Sequence, residues 1–261
     1  MRVCFIQYNE GSLLGLPQLY LSVIKCTDEP SRVNATSDVT AFEVLSGRGS
    51  DEARQMIDPE AKGIVTTDRY WSYNWLPSRR RQVCWAHLAR DFQAMVERSG
   101  ESQQVGEALL KQVKQLFKWW HKARDGDLAR ERLEALMRPV RQKVKKLLQA
   151  GTESGHKKTR RTCANILAVE RSLWTFVRVE GVEPTNNRAE RALRRAVLWR
   201  RKSFGTQSES GSRFVGRILT AVQSLGQQGR DVLEYLVEVC RGALSGEVQP
   251  GLVPALSCKT T

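Results

Sequence analysis

The hydrophobic pattern changes its period along the chain. Val39 to Leu45 is rich in β-branched and aromatic residues, which predicts a strand. Ser50 to Ile57 fits a short helix. Gly63 to Thr67 is a brief apolar run that stops at Asp68, as a buried strand does. Gln82 to Ala86 predicts another strand, and His87 to Arg98 a helix. Strands and helices alternate here, so residues 38–98 read as the first part of an α/β core. Residues 1–37 show neither period, and Asp28 to Asp38 is polar. That segment reads as irregular or degraded.

From 99 to 178 the pattern is helical throughout. Leu109, Val113, Leu116, Phe117 and Trp120 share one face of a first helix, and Leu133, Leu136, Val140, Val144 and Leu147 one face of a second. Gly126 and Asp127 separate the two. Pro139 is expected to kink or split the second, because proline removes a helical donor and its ring crowds the preceding turn. Gly151 to Gly155 reads as a loop, and Thr162 to Val177 as a third helix. The block predicts an all-helical insertion packed as a small bundle. Residues 179–244 are helical again. One helix runs from an Asn187 cap to about Trp199, the next carries Phe214, Ile218, Val222 and Leu225, and the last carries Leu233, Leu236, Val237 and Cys240. Asp231 with Glu234 has capping spacing for that last helix. Residues 245–261 read as a flexible tail.

Charge changes this picture more than composition does. The 261 residues carry a formal net charge of +14, which makes a polyanion the first partner to consider. The plain alternative is a basic protein that is merely soluble. Six cysteines form no CxxC pair, which argues against a zinc ribbon or a dense disulfide framework and for reduced thiols in the cytosol. No signal peptide and no apolar run long enough for a membrane span is read.

Two carboxylates stand out. Asp68 ends a short apolar strand, where a carboxylate can project into a cleft and hold a hard cation. The alternative is a helix cap. Glu190 lies among Arg188, Arg191, Arg194, Arg195, Arg200, Arg201 and Lys202. Such a cluster repels itself unless anions bind to it, so a phosphate backbone beside a carboxylate-bound metal would account for both features. A capping box with Asn187, on a solvated basic helix face, is the plainer account. His87 is a candidate phosphate or metal contact, with a structural role favoured. Trp119, Trp120, Trp174 and Trp199 are expected as core aromatics rather than stacking platforms, although Trp199, beside Arg200 and Arg201, is also a candidate for base stacking.

The segments TTDRYWSYNWLP, QVCWAHLARDF, LWTFVRVEGVEPTNNRAERALRRAVLWRRKSFGTQSESGSRFV and LTAVQSLGQQGRDVLEYL resemble the insertion-sequence 66 family of DDE transposases. The resemblance runs from about Val39 to the last helix, and NNRAERALR is its most specific element. It implies a ribonuclease H-like core interrupted by the helical insertion. It implies a catalytic triad of two Asp and one Glu holding two Mg²⁺ (or Mn²⁺) ions, in which Asp68 matches the second Asp and Glu190 the Glu. One ion would activate water or a 3′-hydroxyl and the other stabilise the leaving oxygen. The implied partners are double-stranded DNA at element ends and target, a second copy of the chain on DNA, and helper proteins of the same element. The implied setting is a bacterial cytoplasm, near the nucleoid, with no membrane.

The first Asp of the family lies in an Asp-Glu-Thr element on an early strand. Asp28-Glu29-Pro30 is the nearest match, on no convincing strand and at a short interval from Asp68. The chain therefore reads as N-terminally truncated. Three readings stay open: a metal-dependent transposase, an inactive remnant that binds only DNA or a full-length partner, and a helical nucleic-acid-binding module without catalytic ancestry.

Overall fold

The computed structural model describes residues 5–6, 18–25, 30–35, 40–44, 49–57, 63–203, 206 and 208–252. Helices dominate, with a small sheet. The chain divides into two compact units: Met1–Val65 with Asn187–Thr261, and Thr66–Asn186. The boundary falls inside a strand, β5.

In the first unit, β1 (Phe5–Ile6), β2 (Gln18–Lys25), β3 (Pro30–Ala35) and β4 (Thr40–Val44) form sheet structure. β2 and β4 pair antiparallel with β3, in registers Lys25↔Pro30 and Ala35↔Thr40, and β1 pairs parallel with it. The opening of β5 (Ile64–Thr67) neighbours β2. β4 and α1 (Ser50–Met56) agree with the sequence reading. β1, β2 and β3 lie in a stretch where the sequence showed no period. Leu19, Leu21 and Val23 do alternate in β2, but Tyr20 and Ile24 fill the positions between them and hide the alternation.

The C-terminal helices of this unit are α7 (Asn187–Ser203), α8 (Glu209–Gln228) and α9 (Val232–Ser245). α8 packs on β4. Ser224 Oγ accepts from Thr40 N (2.9 Å), Thr220 Oγ1 from Phe42 N (2.8 Å), and Thr40 Oγ1 donates to Gln227 Oε1 (2.7 Å). Thr220 and Ser224 are one helical turn apart, and Thr40 and Phe42 are alternate strand positions. The helix hydroxyls thus satisfy strand amides that would otherwise stay open to another chain. Asp231 caps α9 through Glu234 N (2.8 Å), as its spacing predicted. The tail is held further than expected: Arg230 Nη1 donates to Gly251 O (3.0 Å) and Gln228 Nε2 to Leu252 O (3.0 Å).

The second unit contains the end of β5, then β6 (Arg81–Val83), α2 (Trp85–Val96), α3 (Gly100–Arg124), α4 (Arg130–Glu153), α5 (Lys157–Leu167) and α6 (Thr175–Arg178). β6 stops three residues short of the predicted strand. Trp85 belongs instead with Leu88, Phe92 and Met95, all buried, at helical spacing on α2. α4 runs unbroken through Pro139 and on to Glu153, over part of the predicted loop. Pro139 is exposed, so water can satisfy the carbonyl that its missing N–H leaves. The buried face of α4 is Leu133, Met137, Val140, Val144 and Leu148, with Leu136 and Leu147 at its margin. α2 and α3 touch backbone to backbone at Gly106: a Cβ there would lie 2.8 Å from Phe92 O and Val96 N. The third helix starts earlier than predicted and breaks after Leu167, giving α5, a 3₁₀ turn (Glu170–Leu173) and α6.

Candidate catalytic and nucleic-acid site

β5 is buried along its whole length, and Asp68 follows it with 5% of its surface exposed. Asp68 Oδ1 accepts the Tyr70 amide at 2.8 Å. Oδ2 takes no hydrogen bond among the described residues. A carboxylate bonded on one oxygen and open on the other is fixed in direction yet keeps a lone pair free. Asp68 bonds two residues ahead in a turn; it does not cap a helix.

Beneath Asp68 lies Arg81, the first residue of β6, with 1% of its surface exposed. Its guanidinium donates to Thr67 Oγ1 (2.9 Å), Asp68 O (3.1 Å), Tyr73 O (3.1 Å) and Asn74 Oδ1 (3.0 Å). Burial pulls its pKa down to about 10, and the nearby Asp68 charge opposes that pull, so it stays cationic at neutral pH. Burial also pushes the Tyr73 phenol upward. The loop 68–74 is therefore tied to β6 by a buried, bonded cation. Arg69 pairs with Asp91 of α2 (2.8 Å).

The same strand is anchored on its other face. Gln82 Nε2 and Trp85 Nε1 both donate to Leu173 O (3.1 and 2.7 Å), Gln82 Oε1 accepts from Phe176 N (2.8 Å), and Thr175 Oγ1 donates to Arg81 O (2.6 Å). Trp85 meets Trp174 edge-on at 5.0 Å, and Trp120 meets Phe176 at 5.6 Å. Trp174 thus joins the core as expected, while Trp119 and Trp120 stay partly exposed at its margin.

Cys84 N donates to Thr67 O (2.8 Å), Trp85 N to Pro184 O (2.9 Å), and Asn186 N to Cys84 Sγ (3.3 Å). Within this unit, then, the polypeptide that leads into α7 is tied to the residues that flank Asp68. Cys84 and His87 present ligand atoms within 4.8 Å of each other. A thiol–imidazole pair suits softer ions than Mg²⁺, and the sulfur already accepts the Asn186 amide.

In the other unit, α7 opens at Asn187, which puts Asn186 at the position before the helix. Ala192, Leu193 and Ala196 are buried; Arg191, Arg194, Arg195, Arg201 and Lys202 are exposed. Arg200 is half-buried, and its Nε has no hydrogen-bond partner among the described residues. Glu190 is half-buried. The Arg188 side chain and all of Asp28 lie outside the described residues. The basic residues of α7 thus form a solvent-facing stripe opposite an apolar one.

Arg81, Gln82 and Thr175 were missed in the sequence. Arg81 sits in the run Arg79-Arg80-Arg81 and looks like surface. The usable signal was its place at the head of an apolar strand, where an arginine is buried only if its donors are met.

No helix of the described residues is long and apolar enough to cross a membrane. The family model of the transposase IS66 family matches residues 19–213. A Sinorhizobium fredii (strain NBRC 101917 / NGR234) protein named "Uncharacterized protein y4qI" is 27% identical over 215 residues, covering 76% of this chain and 39% of that protein. The chain thus spans well under half the length of this relative. No solved structure matches. With three quarters of its sequence inside one family model, and with the Asp68 and NNRAERALR elements both within the match, the chain belongs to the IS66 family of transposases.

Proposed function

We propose that the chain carries the catalytic core of a DDE transposase, which cuts and joins DNA at the ends of an insertion sequence with Asp68 and Glu190 as metal-binding carboxylates. The observation that carries this reading is Asp68 itself. It follows a fully buried strand, one oxygen is held by Tyr70 N, the other is open, and a buried arginine fixes its loop. The donor set fits Mg²⁺ or Mn²⁺, which take carboxylate oxygens and keep several waters. Such a metal supplies charge neutralisation at phosphorus and a more acidic bound water. The protein's own part is to hold Asp68 in one direction, to present Glu190 on α7, and to lay phosphates along Arg191, Arg194 and Arg195.

A ribonuclease H-like core is supported by the β2–β3–β4 antiparallel meander with β5 beside β2, reached through α1. A second reading, a DNA-binding protein that does not cut, is favoured by one fact: β2, Gln18–Lys25, contains no Asp or Glu. Nicking of supercoiled DNA separates the two. Mg²⁺-dependent nicking that is lost in both Asp68→Asn and Glu190→Gln supports the enzyme. DNA binding with no nicking by the parent supports the second reading.

A further inference from the structure

We propose that Trp71 is a stacking platform for an unpaired nucleobase of the DNA strand that Asp68 addresses; this deepens the transposase reading and rests on it. All seven tryptophans lie among the described residues. Trp85 and Trp174 are buried, Trp75, Trp119, Trp120 and Trp199 are half-buried, and Trp71 alone is exposed, at 57%. The stacking candidate read from the sequence, Trp199, is thus the more covered of the two.

An isolated exposed aromatic is ordinary. What distinguishes Trp71 is how firmly its backbone is held, three residues from Asp68. Tyr70 N is bonded to Asp68 Oδ1 (2.8 Å). Asn74 N bonds Trp71 O (2.9 Å) and Tyr73 N bonds Tyr70 O (3.3 Å), closing a 3₁₀ turn over Trp71–Tyr73. Ser72 and Tyr73 are buried, and Arg81 grips Tyr73 O and Asn74 Oδ1. The turn is fixed on both sides while the indole points outward, so little backbone order has to be gained on binding. The Tyr70 ring is 5.6 Å away and tilted by 45°, which is not a stacked cover.

Charge identifies the occupant. Residues 68–81 contain one carboxylate, Asp68, against four arginines; Arg81 is buried and Arg69 pairs with Asp91, so exposed Arg79 carries the loop's outward charge, with half-buried Arg80 next to it in sequence. An aromatic plate in a cationic loop suits a ligand with π-faces and a negative backbone, which is single-stranded nucleic acid. A base left unpaired beside a strand cut would have this ring to rest on.

The test is binding of a fluorescein-labelled oligothymidylate, followed by anisotropy without divalent metal. Trp71→Ala should weaken binding about 5- to 100-fold. Trp71→Phe should recover most of the loss and Trp71→Leu should not. The salt slope should stay unchanged, because stacking releases no counterions. All three variants should melt with the parent. The proposal is overturned if the parent does not bind the oligonucleotide, if Trp71→Ala binds like the parent, if leucine rescues as well as phenylalanine, or if the slope falls. Nicking that survives Asp68→Asn would instead remove the transposase reading, independently of this metal-free measurement.

Discussion

Residues 66–186 and the C-terminal helices handle buried and charged groups in opposite ways. The first region buries polar side chains and bonds them: Arg81, Gln82 and Thr175 lie in its centre, each with partners. The second leaves apolar side chains in water, with Phe214, Leu233 and Leu244 at 66, 71 and 91% exposure. Phe214 and Leu233 mark the apolar periods of α8 and α9, so these helices present part of that face outward. Charge divides too. Thr66–Asn186 holds 24 Lys and Arg against 13 Asp and Glu, while the rest of the chain holds 18 against 15. The family's most specific motif, Asn186 to Arg194, therefore begins a region with little surplus charge outside α7. The contrast separates what a substitution should do to stability from what it should do to DNA binding.

The largest effect expected is from Arg81→Ala. It removes one buried cation and strands four acceptors, so it should cost about 3–5 kcal/mol in chemical denaturation. A loss under about 1 kcal/mol would mean that the loop does not depend on this residue. Gly106→Ala should cost about 1–3 kcal/mol, since its methyl meets the backbone of α2. An unchanged midpoint would deny that α2 and α3 approach so closely.

For DNA binding, Arg191, Arg194 and Arg195 changed together to Ala should lower the salt slope by up to about 2.7, at about 0.9 per phosphate. Lys111, Lys114, Lys118 and Lys122 form an exposed stripe on α3 and make the comparison variant. Should their replacement by Gln flatten the slope more than the α7 triple, the phosphate track lies chiefly on residues 66–186. The smallest effect is from Phe214→Ala or Leu233→Ala, within about 0.5 kcal/mol in thermal melts of the isolated chain. A larger loss would show that these side chains are covered in solution.

Period and punctuation made most helices legible, together with β4 and β5, because each follows one rule over its length. They failed where a residue serves a second purpose. Trp85 looks like a strand residue and instead opens the buried face of α2. Pro139 looks like a break and is tolerated because its ring faces water. Phe214 keeps the apolar period of α8 and yet is exposed. At the site, Asp68 was legible as an acid ending an apolar run, but the arginine that secures it was not. Three consecutive arginines carry no mark of which one turns inward; that is decided by Thr67, Asp68, Tyr73 and Asn74, which supply its acceptors.

The proposed function requires Asp68 and Glu190 to bind one metal centre. The most direct measurement replaces Mg²⁺ with Fe²⁺, generates hydroxyl radicals at the bound iron with ascorbate and peroxide, and maps the cuts in the polypeptide. The account predicts scission close to both Asp68 and Glu190, suppressed by excess Mg²⁺ and absent in Asp68→Asn. Cuts near only one of them, or cuts indifferent to Mg²⁺, would contradict it.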